Sequence, residues 1–135
     1  MNDAPWQTLA DAAKAACRNA YSSYSGFPVG AAVLTDSGTV AKGCNVENAS
    51  YGLTICAERS AVFGAITDGA RAIVALALYT PTAKPVTPCG ACLQVIAEFG
   101  ANVEIRSYCD GPDIAKSMLR ELLPASFTLP GGTNP

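Results

Sequence analysis

The chain has 135 residues, half of them apolar and 15% charged, with a net charge of −2. That length supports one domain with a substantial buried core. The acidic balance and scattered basic residues exclude the clustered positive surface that binding to DNA or long RNA needs. No run of about 18 apolar residues occurs, so no transmembrane helix is expected. Met1-Asn2-Asp3-Ala4-Pro5-Trp6 is neither basic nor followed by an apolar stretch, so no signal peptide is expected either. A cytoplasmic protein is therefore expected. There its six cysteines are more naturally metal ligands or buried small residues than disulfides. Histidine is absent. That removes the Ser-His-Asp triad, imidazole proton transfer and every metal site with a histidine ligand; any metal must be held by sulfur or oxygen.

Residues 6–20 are rich in alanine. Trp6, Leu9, Ala13, Ala16 and Cys17 recur at helical spacing, which predicts a helix burying those five. Tyr21-Ser22-Ser23-Tyr24-Ser25-Gly26 is a polar loop. Residues 29–35 read as a strand of small apolar residues, Asp36-Ser37-Gly38 as a turn and residues 39–45 as a second strand, together a hairpin. Gly30, Ala31 and Ala32 leave room for another element to approach closely. Residues 46–54 form a loop rich in hydrogen-bonding groups. A helix over 56–67 ends at Asp68-Gly69, and a strongly apolar strand over 72–79 is expected at the centre of a sheet, covered on both faces. A loop rich in Pro and Thr fills 80–88. A helix over 89–99 stops at Gly100, and a strand covers 103–108. Beyond the Asp110-Gly111-Pro112 turn, residues 113–118 read as a short strand or a helix start; 119–123 are helical and Pro124 ends them. The alternation predicts an α/β fold, a three-layer α/β/α sandwich with a mixed, mostly parallel five-stranded sheet. One domain is expected over 1–135, with about 128–135 as a flexible tail.

Two stretches carry chemistry: Cys56-Ala57-Glu58 and Pro88-Cys89-Gly90-Ala91-Cys92. Each opens an apolar helical pattern. Helix starts carry unpaired N–H groups and partial positive charge. A thiol there loses its proton readily, and the thiolate is the metal-binding form. Three such cysteines make a zinc site with one open position, and Glu58 is the proton carrier beside it. Arg59 can donate hydrogen bonds to sulfur and so offset the charge of three thiolates. Alternatives are a redox Cys-x-x-Cys pair, which leaves Cys56 and Glu58 unexplained, and cysteines that merely pack. A closed structural site would need Cys17, Cys44 or Cys109 as a fourth ligand.

The sequence closely resembles the small homotetrameric, zinc-dependent cytidine deaminases over about residues 21–127. The stretches that carry this are Phe27-Pro28-Val29-Gly30-Ala31-Ala32, Asn45-Val46-Glu47-Asn48-Ala49-Ser50-Tyr51-Gly52, Cys56-Ala57-Glu58-Arg59-Ser60-Ala61, Pro88-Cys89-Gly90-Ala91-Cys92 and Glu121-Leu122-Leu123-Pro124-Ala125-Ser126-Phe127. The metal motif is common to zinc nucleobase deaminases; the Phe27 and Asn45-Val46-Glu47 stretches narrow it to free nucleosides. The resemblance implies hydrolysis of cytidine and 2′-deoxycytidine to uridine and 2′-deoxyuridine with release of ammonia, as in pyrimidine salvage. It implies one Zn²⁺ per subunit on Cys56, Cys89 and Cys92. Zinc-activated water then attacks C4 while Glu58 moves protons to N3 and to the leaving amine. Backbone near Ala57 and Cys89 is expected to hold the pyrimidine edge, Phe27 to lie against the ring, and Asn45 and Glu47 to bind the ribose 3′-OH. The family's sites are shared between subunits, so Ala49, Tyr51 and Phe127 are expected to come from neighbouring chains of a homotetramer. No nucleic-acid or membrane partner is implied. After Phe127 the sequence departs from the family's usual Gly-Pro and acidic run. Rival readings are a deaminase of another pyrimidine-like compound, a polynucleotide-editing deaminase and a non-catalytic zinc protein.

Overall fold

The computed structural model describes residues 4–131. The N-terminal reading at Met1-Asn2-Asp3 and the last part of the expected tail, residues 132–135, lie outside the described residues. Five strands form one sheet in the order β2-β1-β3-β4-β5. They are β1 (Gly30–Thr35), β2 (Val40–Cys44), β3 (Ile73–Tyr79), β4 (Glu104–Tyr108) and β5 (Ala115–Met118). The helices are α1 (Trp6–Cys17), α2 (Ala57–Thr67), α3 (Gly90–Phe99) and a single turn, α4 (Leu119–Leu122). Residues 113–118, open between strand and helix in the sequence, resolve as β5.

β3 lies at the middle of the sheet, and six of its seven residues are buried. Its alternation serves two cores. On one face Trp6, Leu9, Ala13 and Cys17 of α1 pack on Ala32, Leu34, Ala75, Ala77 and Tyr79. On the other, α2 and α3 pack through Ala61, Val62, Leu93 and Ile96 on Ala31, Val33, Leu76, Leu78 and Ile105. The three layers are as expected, and the five residues assigned to the buried face of α1 are all buried.

The expectation of a mostly parallel sheet is corrected. Only β3 and β4, joined through α3, run parallel; the β1–β2, β1–β3 and β4–β5 pairs are antiparallel. The cause is the position of β1. The crossover β2–α2–β3 joins strands of the same direction, but β1 fills the place between them and runs against both.

Two glycines set how closely helices sit on the sheet. A Cβ on Gly30 would lie 1.8 Å from the carbonyl oxygen of Ala13 in α1. One on Gly43 would lie 2.4 Å from the backbone nitrogen of Ala61 in α2. Among the described residues no helix is long and apolar enough to cross a membrane.

Candidate active site

β2 and β3 point the same way, so the chain leaves both at one edge of the sheet. The helix that follows each strand starts there. Cys56 is the N-cap of α2 and Cys89 the N-cap of α3. Crevices at the carboxyl ends of strands are where α/β sheets bind ligands. Cys92 lies one helical turn beyond Cys89, and their sulfurs are 3.6 Å apart. The Sγ atoms of Cys56, Cys89 and Cys92 all lie within 4.8 Å of one another, the one such group among the described residues.

This geometry fits zinc. A zinc–sulfur bond of about 2.3 Å in a tetrahedron separates sulfurs by about 3.8 Å. Cys17, Cys44 and Cys109 stand outside the group, so no fourth thiolate closes it. Arg59 donates from its guanidinium to Cys56 Sγ at 3.0 Å. The Cys92 thiol and Arg59 both favour the Cys56 thiolate and bring its pKa down to about 5. Cys92 is the donor in that pair and is buried, so its pKa lies well above the ordinary thiol range. An electropositive partner is therefore already present for the first thiolate of the cluster.

Glu58, in the first turn of α2, is only 5% exposed. Burial raises its carboxyl to about 7. It borders a hollow of about 290 Å³ together with Phe27, Asn45, Glu47, Cys56 and Ala57. Six residues singled out from the sequence thus meet at one cavity.

The far side of the hollow is a loop held by its own side chains. The segment around residues 45–55 is pinned by Tyr21 and by Ile55: the Glu47 N–H donates to the Tyr21 carbonyl at 2.8 Å, and Val46 and Ile55 exchange bonds of 3.0 Å. Asn45 is buried and spans Pro28. Its Oδ1 accepts the Val29 N–H at 2.9 Å, and its Nδ2 donates to the Phe27 carbonyl at 2.8 Å. Oε1 of Glu47 accepts the N–H groups of Tyr24 and Ser25 at 2.9 and 3.0 Å, and Oε2 accepts the Ser25 hydroxyl. These bonds hold the Glu47 carboxyl below its usual range, the Ser25 hydroxyl contributing most.

Ala49, Tyr51 and Phe127 do not border this hollow. Tyr51 is 77% exposed and lines an adjoining hollow of about 350 Å³ with Tyr24, Ser25, Glu47 and Thr54. Phe127 exposes 66% of its surface, yet its backbone is fixed: Gln94 of α3 accepts its N–H at 3.2 Å and donates to its carbonyl at 2.9 Å. The sequence reading missed Ser25 and Gln94. Ser25 sits in a run with Ser22 and Ser23, and only its position two residues before Phe27 hints at a turn bond. Gln94 carried no signal; its partner is 33 residues away.

The family model for the cytidine and deoxycytidylate deaminase zinc-binding region matches residues 5–106. A cytidine deaminase of Sporosarcina psychrophila is 49% identical over 117 residues, covering 85% of each chain. One of Halalkalibacterium halodurans is 48% identical over 124 residues, covering 90% of this chain and 93% of its own. The crystal structure of cytidine deaminase from Burkholderia pseudomallei superposes with a TM-score of 0.85 at 46% identity, covering 90% of this chain and 98% of that one.

Proposed function

The chain belongs to the cytidine and deoxycytidylate deaminase family, and we propose that it hydrolyses cytidine and 2′-deoxycytidine to uridine and 2′-deoxyuridine with release of ammonia. The observation that supports this most directly is the single hollow bordered by Cys56 and Glu58 at one side and by Phe27, Asn45 and Glu47 at the other. It pairs a hydrolytic centre with partners for a flat base and a hydroxylated sugar. Cys56, Cys89 and Cys92 hold one zinc ion per subunit. Zinc bound there supplies a Lewis acid and lowers the pKa of water toward neutrality.

Glu58 moves the protons. Its carboxyl, raised by burial to about 7, accepts a proton from water and releases it near neutral pH. It delivers that proton to ring N3, which makes C4 electrophilic, then takes the second proton from the hydroxyl added at C4 and gives it to the departing amine as the C4 carbonyl forms. Water adds and ammonia leaves, with no net proton left on the enzyme. Backbone groups near Ala57 and Cys89, at two helix starts, hold the pyrimidine edge.

Phe27 lies against the base. Glu47 stays ionised and accepts the 3′-OH, while Asn45 retains one N–H and one lone pair after its two backbone bonds. Neither is committed to a 2′-OH, so both sugars are accepted. A carboxylate at the sugar repels phosphate, which favours nucleosides over nucleotides. Ala49, Tyr51 and Phe127 act on neighbouring subunits of a homotetramer; a fixed backbone under an exposed Phe127 ring supports that reading. Residues 4–131 fold as one domain, and the protein works in the cytoplasm, where its six free thiols stay reduced.

The test is ultraviolet absorbance of cytidine, deoxycytidine, CMP, cytosine and adenosine mixed with the purified protein. Both cytidine nucleosides should be consumed, the others should not. Glu58→Gln should lower kcat by about 10³-fold with zinc content intact. Turnover unaffected by Glu58→Gln sinks the proton-carrier role.

A further inference from the structure

Ser25 stands where the two grips of the site meet. Its hydroxyl donates to Oε2 of Glu47 and accepts the backbone N–H of Phe27 at 3.0 Å. It borders both the hollow that contains Glu58 and the adjoining one that contains Tyr51. A hydroxyl has a single proton to give, and here the carboxylate takes it. The lone pair takes the N–H of Phe27, which borders the hollow. One side chain thus links the acid of the loop to the aromatic wall.

The link also counts acceptors. A carboxylate offers about four lone-pair sites. Oε1 of Glu47 receives two N–H groups and Oε2 receives the Ser25 hydroxyl. One site remains, enough for one sugar hydroxyl. Without the Ser25 bond, Oε2 would be free to turn toward water and the wall at Phe27 would lose its tie to it.

We propose that Ser25 is a positioning residue that sets the separation between the sugar-binding carboxylate and the base-facing Phe27. The proposal rests on the roles given above to Glu47 and Phe27. Ser25 touches neither the cysteines nor Glu58 through any hydrogen bond, so its loss should act on substrate binding and leave the chemical step in place.

The experiment is steady-state kinetics with cytidine on the zinc-loaded full chain, comparing wild type, Ser25→Ala, Ser25→Cys, Ser25→Thr and Glu47→Gln. Zinc content and melting temperature are measured on each. Ser25→Ala should raise KM about tenfold with kcat within about threefold of wild type, as expected when binding common to ground and transition states is removed. Ser25→Cys keeps the shape but has a weak donor; it should fold like wild type and raise KM likewise. Ser25→Thr restores the hydroxyl and should recover most of the affinity. The acid limb of 1/KM should move to higher pH in Ser25→Ala, because Glu47 loses its strongest acidifying bond. The titratable groups around Glu47 are Tyr24 and Tyr51 in one hollow and Cys56 and Glu58 in the other, and Ser25 bonds to none of those side chains. Unchanged KM in both Ser25→Ala and Ser25→Cys, or failure of Ser25→Thr to recover it, overturns the proposal. If Glu47→Gln raises KM and the two Ser25 variants do not, only the role of Ser25 falls. If Glu47→Gln leaves KM unchanged, the sugar-binding reading falls first.

Discussion

Cys56, Cys89 and Cys92 are held by two helix starts, whereas Phe27, Asn45 and Glu47 are held largely by bonds among their own loops. At the cysteine end, the spacing of Cys89 and Cys92 is one turn of α3, and the burial of α2 and α3 against the sheet does the rest. At the loop end, side-chain bonds join residues 16 to 23 positions apart, beside backbone bonds from Tyr21, Val29 and Ile55 to residues 45–47. The first construction resists change because core packing maintains it. The second depends on a few polar atoms, each worth about 1 kcal/mol, or more where a charge takes part. The cysteine cluster can thus stay in place while the loops across the hollow from it are altered.

Removing zinc breaks the first end alone. Dialysis against a chelator should abolish deamination, and added Zn²⁺ should restore it. Amide exchange at Tyr24, Ser25 and Phe27 should stay slow, because their bonds run to Glu47 and Ser25 and not to sulfur. Fast exchange in the metal-free protein would mean that the two ends stand or fall together.

Asn45→Ala breaks the second end. It removes both bonds across Pro28 and should lower unfolding stability by about 2 kcal/mol, read from a denaturant midpoint. KM should rise while zinc content stays at one per chain. Lost zinc would show that the loop also supports the cluster.

Tyr79→Phe probes a bond of the same long-range kind outside both ends. The Tyr79 hydroxyl donates to Asp110, 31 residues away. Burial, and then this bond, push its pKa from 10 up to about 12. The folded state therefore retains a proton that the unfolded chain loses first. The stabilisation is complete below about pH 10 and disappears as pH rises toward about 12. Tyr79→Phe should cost about 1 kcal/mol near neutral pH, and the gap to wild type should close over that window in melts against pH. A gap that persists at pH 12 would assign the cost to packing.

What was legible in the sequence follows the same division. The helices, the central strand, the three sulfurs and Glu58 could be read because apolar period and short spacing encode them locally. The direction of β1 could not be read. Nothing in residues 29–35 says which slot in the sheet they occupy, and that slot decides whether the neighbours are parallel. Ser25 resembles Ser22 and Ser23 until Glu47 folds over it. The amide of Asn45 looked free for a sugar; the fold commits half of it to Phe27 and Val29.

Gly43 touches no part of the hollow, yet the backbone at Ser60 and Ala61 leaves no space for a methyl group there. Even alanine at this site would push α2 outward, and with it the thiol at the head of that helix. In a mutational scan scored by turnover, Gly43 would rank beside the zinc ligands, and a map of such scores would draw the catalytic region one strand too wide.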